Sequence, residues 1–107
     1  MKETAGVIGL GVLGRPIAER LLGAGYPTAV YDVREEPLAA LHAAGATRCG
    51  SPAEVAARSR FIVSLVSDRA QTDDVIFGAD GILTALQPGS IVIIGSTLGP
   101  ACVQRAA

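Results

Sequence analysis

A chain of 107 residues, half of them hydrophobic and 18% charged, can bury a core of its own and falls outside the disordered class. Its formal net charge is −1, with both signs scattered along the sequence, so it lacks the basic cluster that nucleic acid or an anionic membrane surface would require of a partner. Two widely separated cysteines, Cys49 and Cys102, and one histidine, His42, cannot assemble a metal centre of the usual spacings, and the expectation is two free thiols.

Taken in order, the chain reads as strand, turn and helix, repeated. Met1-Lys2-Glu3-Thr4 runs directly into an apolar segment, and no targeting signal is expected there. Residues 4–9 (TAGVIG) form a short apolar run ending in glycine, the pattern of a buried parallel strand. The period then changes: Leu13, Ile17 and Leu21 fall four apart, predicting a helix over 11–23 with Pro16 in its first turn and Gly23 and Gly25 as its stop. A second strand follows over 27–32 (PTAVYD), then a helix over 35–44 with Pro37 near its start and Gly45 after its end. Residues 46–49 make a short third strand. Ser51-Pro52-Ala53-Glu54 has the form of a capping box with proline at the first helical position, so a helix starts there.

The fourth strand is expected over 61–66 (FIVSLV), a helix over 70–77 closed by Gly78, a short turn over 82–86, a fifth strand over 90–94 (SIVII), and the start of another element over 100–107. The longest uncharged stretch, 81–104, is broken by Gln87-Pro88-Gly89-Ser90 and by Gly95-Ser96-Thr97; it reads as strand and loops rather than a membrane helix, and the cytoplasm is the expected location. Strands alternating with helices require right-handed crossovers. The expected fold is therefore α/β, a Rossmann-type doubly wound parallel sheet of order 3-2-1-4-5 in a single domain spanning 1–107. A ligand then belongs outside the carboxyl ends of strands 1 and 4, where the winding reverses.

At that edge stands Gly9-Leu10-Gly11-Val12-Leu13-Gly14, a G-x-G-x-x-G that follows a strand and opens a helix. Gly9 permits the tight turn, Gly11 lets a pyrophosphate approach the backbone, and Gly14 lets helix and strand pack closely. The free N–H groups and positive end of the helix face the phosphates. Asp32 ends the next strand, 18 positions after Gly14. A carboxylate there can accept from both ribose hydroxyls of an adenosine and would repel a 2′-phosphate, which favours NAD over NADP. Arg34 pulls the other way, because a nearby arginine can hold a 2′-phosphate. The loops after strands 4 and 5, Val66-Ser67-Asp68 and residues 95–100, face the nicotinamide half, where Ser96 and Thr97 offer hydroxyls or cap the next helix. His42 lies mid-helix, away from this edge, and is given no role.

These segments resemble the N-terminal cofactor domain of the β-hydroxyacid dehydrogenases, the group of 3-hydroxyisobutyrate and 6-phosphogluconate dehydrogenases. The resemblance covers essentially the whole chain through GLGVLGRPIA, GYP…YDV, SPAE, FGADGIL, LQPGS and STLGP. It implies that the loop 9–14 holds the pyrophosphate and that Asp32, with Val33 beside it, holds the adenosine ribose. It further implies that Val66 and Ser67 lie under the nicotinamide, that Gln71 and Thr97 contact cofactor, and that Ser96 approaches substrate. Ser67 stands where the family usually has proline, and Ile94 where it often has an acid.

The resemblance also implies a following helical domain that carries a lysine acting as general acid/base, whereas the one lysine here is Lys2. The expectation is an NAD-binding part of a dehydrogenase with no catalytic residue in this chain, which should not turn over a small hydroxy acid efficiently without the further domain, because no positioned base takes the hydroxyl proton. A domain of this kind exposes an apolar face through which it can self-associate. The alternative function is a non-catalytic NAD(P)-binding sensor or accessory domain. FAD or S-adenosylmethionine on the same fold is a third reading, opposed by the motifs after strand 5.

Overall fold

Short runs of β-branched residues and helices closed by glycine set the element order. The computed structural model describes residues 3–11, 13–65, 75, 78–79, 81–94 and 101–104. In chain order these are β1 (Ala5–Ile8), α1 (Gly14–Gly23), β2 (Thr28–Tyr31), α2 (Glu35–Ala43), β3 (Thr47–Arg48), α3 (Pro52–Arg58), β4 (Phe61–Ser64), a 3-10 turn (Ile82–Thr84), β5 (Ile91–Ile94) and β6 (Ala101–Gln104). Of the helix expected over 70–77, Val75 is described; it is helical and buried in the core.

The sheet has the order β3-β2-β1-β4-β5-β6. The first five strands are parallel, with β1 central: Val7 lies between Val30 of β2 and Val63 of β4. The order read from the sequence is observed. The sheet is not parallel throughout, because the last segment, expected only as the start of an element, is a strand running antiparallel to β5, with Ile94 opposite Ala101. The six residues between them, 95–100, suffice for a hairpin-type return and are too few for a crossover helix.

Each strand sends alternate side chains to the two faces. On one face Val7 and Val30 meet Leu38 and Leu41 of α2 and Ala18 of α1. On the other, Ile8 and Ile62 meet Val55 and Ala56 of α3, with Ile82, Leu86 and Val92. Ile8, Leu41, Ile62 and Ile82 are fully buried, and each such side chain contributes about 1.5–3 kcal/mol by leaving water. On the first face Phe61 of β4 and Ile93 of β5 are exposed.

The helix termini follow the sequence signals closely. Both α1 and α2 end in the same motif: the N–H of Gly25 bonds Leu22 O and that of Tyr26 bonds Leu21 O, and Gly45 and Ala46 repeat the pattern on His42 O and Leu41 O. Ser51 Oγ accepts from the N–H of Glu54, while the Glu54 carboxylate returns to the N–H of Gly50, one residue before the usual capping-box donor. The start of α1 differs from expectation. It begins at Gly14 rather than at residue 11, and Leu13, expected on the buried stripe, is exposed before the first turn; Ala18 and Gly14 are the buried residues of this helix.

One close approach has no counterpart in the motif reading. A Cβ at Gly6 would stand 2.5 Å from Val55 Cγ1 and 2.6 Å from Ser59 Oγ, so α3 lies directly on the backbone of β1. Gly6→Ala is therefore expected to lower stability by about 1–3 kcal/mol through overpacking, read as a shifted urea midpoint with unchanged slope.

Candidate functional site

All five parallel strands deliver their carboxyl ends to one edge of the sheet, and the loop after β1 turns there into α1. Gly9 has φ +92°, in the left-handed region where a side chain is strained. A Cβ on Gly14 would fall 1.7 Å from the carbonyl oxygen of Gly9, so only glycine allows the helix to begin so close to the strand it leaves. The N–H of Gly9 bonds Tyr31 O, and that of Arg15 bonds Gly11 O, fixing the loop at both ends. Leu13 at the N-cap carries no side-chain acceptor, and the first turn has no acidic residue. Pro16 has no N–H and that of Arg15 is taken by Gly11 O, but no side-chain carboxylate or hydroxyl caps this helix start, and its positive end favours an anion from outside.

Asp32 leaves the end of β2 and is nearly buried, its side chain 6% exposed. Its Oδ2 accepts the N–H of Leu10 at 2.6 Å, and its Oδ1 accepts the N–H of Arg34 at 2.8 Å. The Arg34 guanidinium completes the set side-on, with Nε to Oδ1 and Nη2 to Oδ2, both 3.2 Å. Burial pushes this carboxyl upward, but the guanidinium and the two backbone donors outweigh burial and hold its pKa below the ordinary carboxylate range. The same pairing raises the pKa of Arg34. The Arg34 side chain is 60% exposed and reaches across the loop, its Nη2 3.6 Å from the place of a Cβ on Gly11.

The structure brings together Gly9, Leu10, Gly11, Leu13, Gly14, Asp32 and Val33 at this edge, with Leu13 and Val33 both exposed. Val12, Val66, Ser67, Gln71, Ser96 and Thr97 lie outside the described residues. His42 stands apart at the end of α2, its Nδ1 3.1 Å from the carbonyl of Ala46, which assigns the ring proton to that nitrogen. Cys49 is a buried free thiol, pushed up to about 11 by burial and then by the charge of Glu54. No group of three metal-ligating side chains meets among the described residues, and no helix among them is long and apolar enough to cross a membrane.

Residues 4–107 match the family described as the NAD binding domain of 6-phosphogluconate dehydrogenase. This chain belongs to that family. Among its relatives, L-threonate dehydrogenase of Cupriavidus necator is 42% identical over 100 residues, which make up 94% of this chain and 34% of that protein. Mitochondrial 3-hydroxyisobutyrate dehydrogenase of Mus musculus is 37% identical over 99 residues, 92% of this chain and 30% of that protein. The crystal structure of a 3-hydroxyisobutyrate dehydrogenase from Salmonella typhimurium superposes with a TM-score of 0.82 at 35% identity, covering 90% of this chain and 33% of that one. The chain thus spans about a third of the length of these relatives, and it is an NAD-binding domain of the β-hydroxyacid dehydrogenase type.

Within this NAD-binding domain the sequence pattern found Asp32 but not how it is held. Leu10 acts through its backbone N–H, which no side-chain motif announces, and the side-on engagement of Arg34 depends on a rotamer. Two outcomes follow. Because the folded pKa of Asp32 is depressed, its stabilising contribution is present above the ordinary carboxylate value near 4 and is lost as pH falls through the lower folded value. Asp32→Asn is expected to flatten that part of the acid-unfolding profile, measured by circular dichroism. For Cys49, a Cys102→Ala variant at about pH 8 should label with a thiol reagent slowly when folded and rapidly in urea, because the thiol is both buried and protonated there.

Proposed function

We propose that this domain holds NAD in an extended pose across the carboxyl edge of the sheet, as the cofactor half of an enzyme that reversibly oxidises a 3-hydroxy acid to a semialdehyde. In this reading the loop Gly9–Gly14 (Gly9, Leu10, Gly11, Val12, Leu13, Gly14) cradles the pyrophosphate, Asp32 takes the adenosine ribose, and Val33 borders the adenine. On the family resemblance, Val66, Ser67, Gln71 and Thr97 serve the nicotinamide half and Ser96 the substrate. The observation that carries the reading is the contact of Gly14 with the Gly9 carbonyl: it sets an uncapped helix start beside a buried carboxylate anchored to the same loop. That is the arrangement a pyrophosphate and the adjoining ribose require.

The residues present fit the group. A pyrophosphate meets backbone N–H groups and no acidic side chain in the first turn of α1, and a ribose meets a carboxylate kept ionised by its partners. When bound, NAD supplies the hydride acceptor, while the proton of the alcohol needs a base from elsewhere in the longer protein. Self-association would run through the exposed apolar side chains of Phe61 and Ile93.

Calorimetric titration of the 107-residue chain with NAD tests the binding reading. Saturable binding that Gly14→Ala weakens about tenfold or more, while the variant still melts cooperatively, is the expected result. Equal affinity in the two proteins would mean that the glycine loop holds nothing.

A further inference from the structure

The segment between β1 and α1 is held at several points, and the holds are of different kinds. At its start the N–H of Gly9 bonds Tyr31 O, and towards its end the N–H of Arg15 bonds Gly11 O. Between these main-chain bonds the Leu10 side chain packs into the first-face cluster, and the Leu10 N–H donates to Asp32 Oδ2 at 2.6 Å. Among the described residues, Asp32 is the one side chain bonded to the main chain of this loop. The bond is short, charge-assisted and buried, which puts it among the stronger kinds. Its acceptor is itself fixed, because Oδ1 takes the N–H of Arg34 at 2.8 Å where α2 begins.

A carboxylate in this place can act on a bound nucleotide in three ways, and they differ in sign. As an acceptor for ribose hydroxyls it strengthens only ligands that carry a diol. As a negative charge near a diphosphate it weakens every such ligand, so its removal would tighten binding. As a tether on Leu10 it strengthens every ligand that uses the glycine loop, with or without a diol. The Arg34 guanidinium, 3.2 Å from each oxygen, matches the charge and keeps the second effect small. The third has room to be large. With Gly9 in the left-handed region, other courses are open to the loop once the Leu10 bond is gone, and N–H groups set to converge on an anion lose that convergence.

We infer, resting on the NAD reading above, that Asp32 is also the positioning residue of the pyrophosphate subsite: through the Leu10 N–H it holds the glycine loop in the shape that meets the phosphates. A ribose that takes one lone pair on each oxygen leaves this bond intact, because each oxygen offers two. The adenosine and pyrophosphate halves of the site are therefore coupled through one carboxylate, and the loop is set before the nucleotide arrives.

The test uses ADP and 2′,3′-dideoxy-ADP, which share a diphosphate and differ in the diol. Both are titrated calorimetrically into the intact chain, Asp32→Ala and Asp32→Asn, each shown to melt cooperatively. Asparagine keeps one oxygen that can accept from Leu10 and gives up the charge. The expected result is that Asp32→Ala weakens dideoxy-ADP about fivefold or more, and that Asp32→Asn restores it to within about threefold of wild type. Should the alanine variant fail to fold, Asp32→Ser takes its place, because its oxygen stops one bond short of the carboxylate oxygens. Dideoxy-ADP bound by Asp32→Ala as tightly as by wild type, or more tightly, would overturn the inference and confine Asp32 to the ribose. Equal weakening by alanine and asparagine would overturn it too, since the acceptor on Leu10 would then not be what counts. So would a wild type that binds ADP but not dideoxy-ADP. Failure of wild type to bind ADP or NAD at all would instead sink the dinucleotide reading on which the inference rests.

Discussion

A helix can begin directly over the end of the strand that feeds it only if nothing projects from its first residue, and here the carbonyl oxygen of Gly9 occupies the place a side chain on Gly14 would need. That contact fixes where α1 starts and how near it lies to β1. The placement of α1 in turn sets the face on which α2 returns beside it. It also brings the positive end of a helix dipole to the carboxyl edge of a parallel sheet, where the loops after the strands converge. Gly6 has the corresponding part on the opposite face, where α3 comes down onto β1. One glycine in α1 and one in β1 thus let a helix come close on each side of the central strand or its end.

Asp32 transmits this arrangement sideways. Its carboxylate bridges the loop after β1 to the loop before α2, so the two crossovers are joined by a buried anion as well as by apolar packing. A buried carboxylate is costly unless each oxygen is satisfied, and the fold meets that cost with two backbone donors and one exposed guanidinium. The site and the stability of the first half of the sheet share the same group, so a change that alters cofactor preference at Asp32 also alters how the two loops are tied.

The order of the first five strands was legible because the repeated strand–helix pattern and the right-handed crossover rule leave one economical arrangement. The helix ends were legible because Gly25, Gly45 and Ser51 carry local signals that work within a few residues. The start of α1 was misplaced by three residues because Leu13 has the right spacing for the buried stripe, and periodicity does not reveal that a left-handed Gly9 spends residues 9–13 on the turn. The direction of β6 was not legible either: a short apolar run reads alike in parallel and antiparallel pairing, and only the length of the preceding connection separates them. In the site, the identity of Asp32 came from spacing, whereas its partners are two backbone N–H groups and a rotamer, none of which leaves a mark in residue type.

The matching ends of α1 and α2 lie at the edge of the sheet opposite the glycine loop, and each is locked by the same pair of backbone bonds. The two edges of the sheet are therefore built differently: the returns into β2 and β3 are set by main-chain bonds alone, while the carboxyl edge adds a carboxylate and a guanidinium to its main-chain contacts. For protein engineering this division marks out separate territories. Tethers, dyes or surface immobilisation chemistry belong on the exposed residues of the locked returns, such as Ala24 or Ala44, where they load a rigid frame and leave the nucleotide edge untouched.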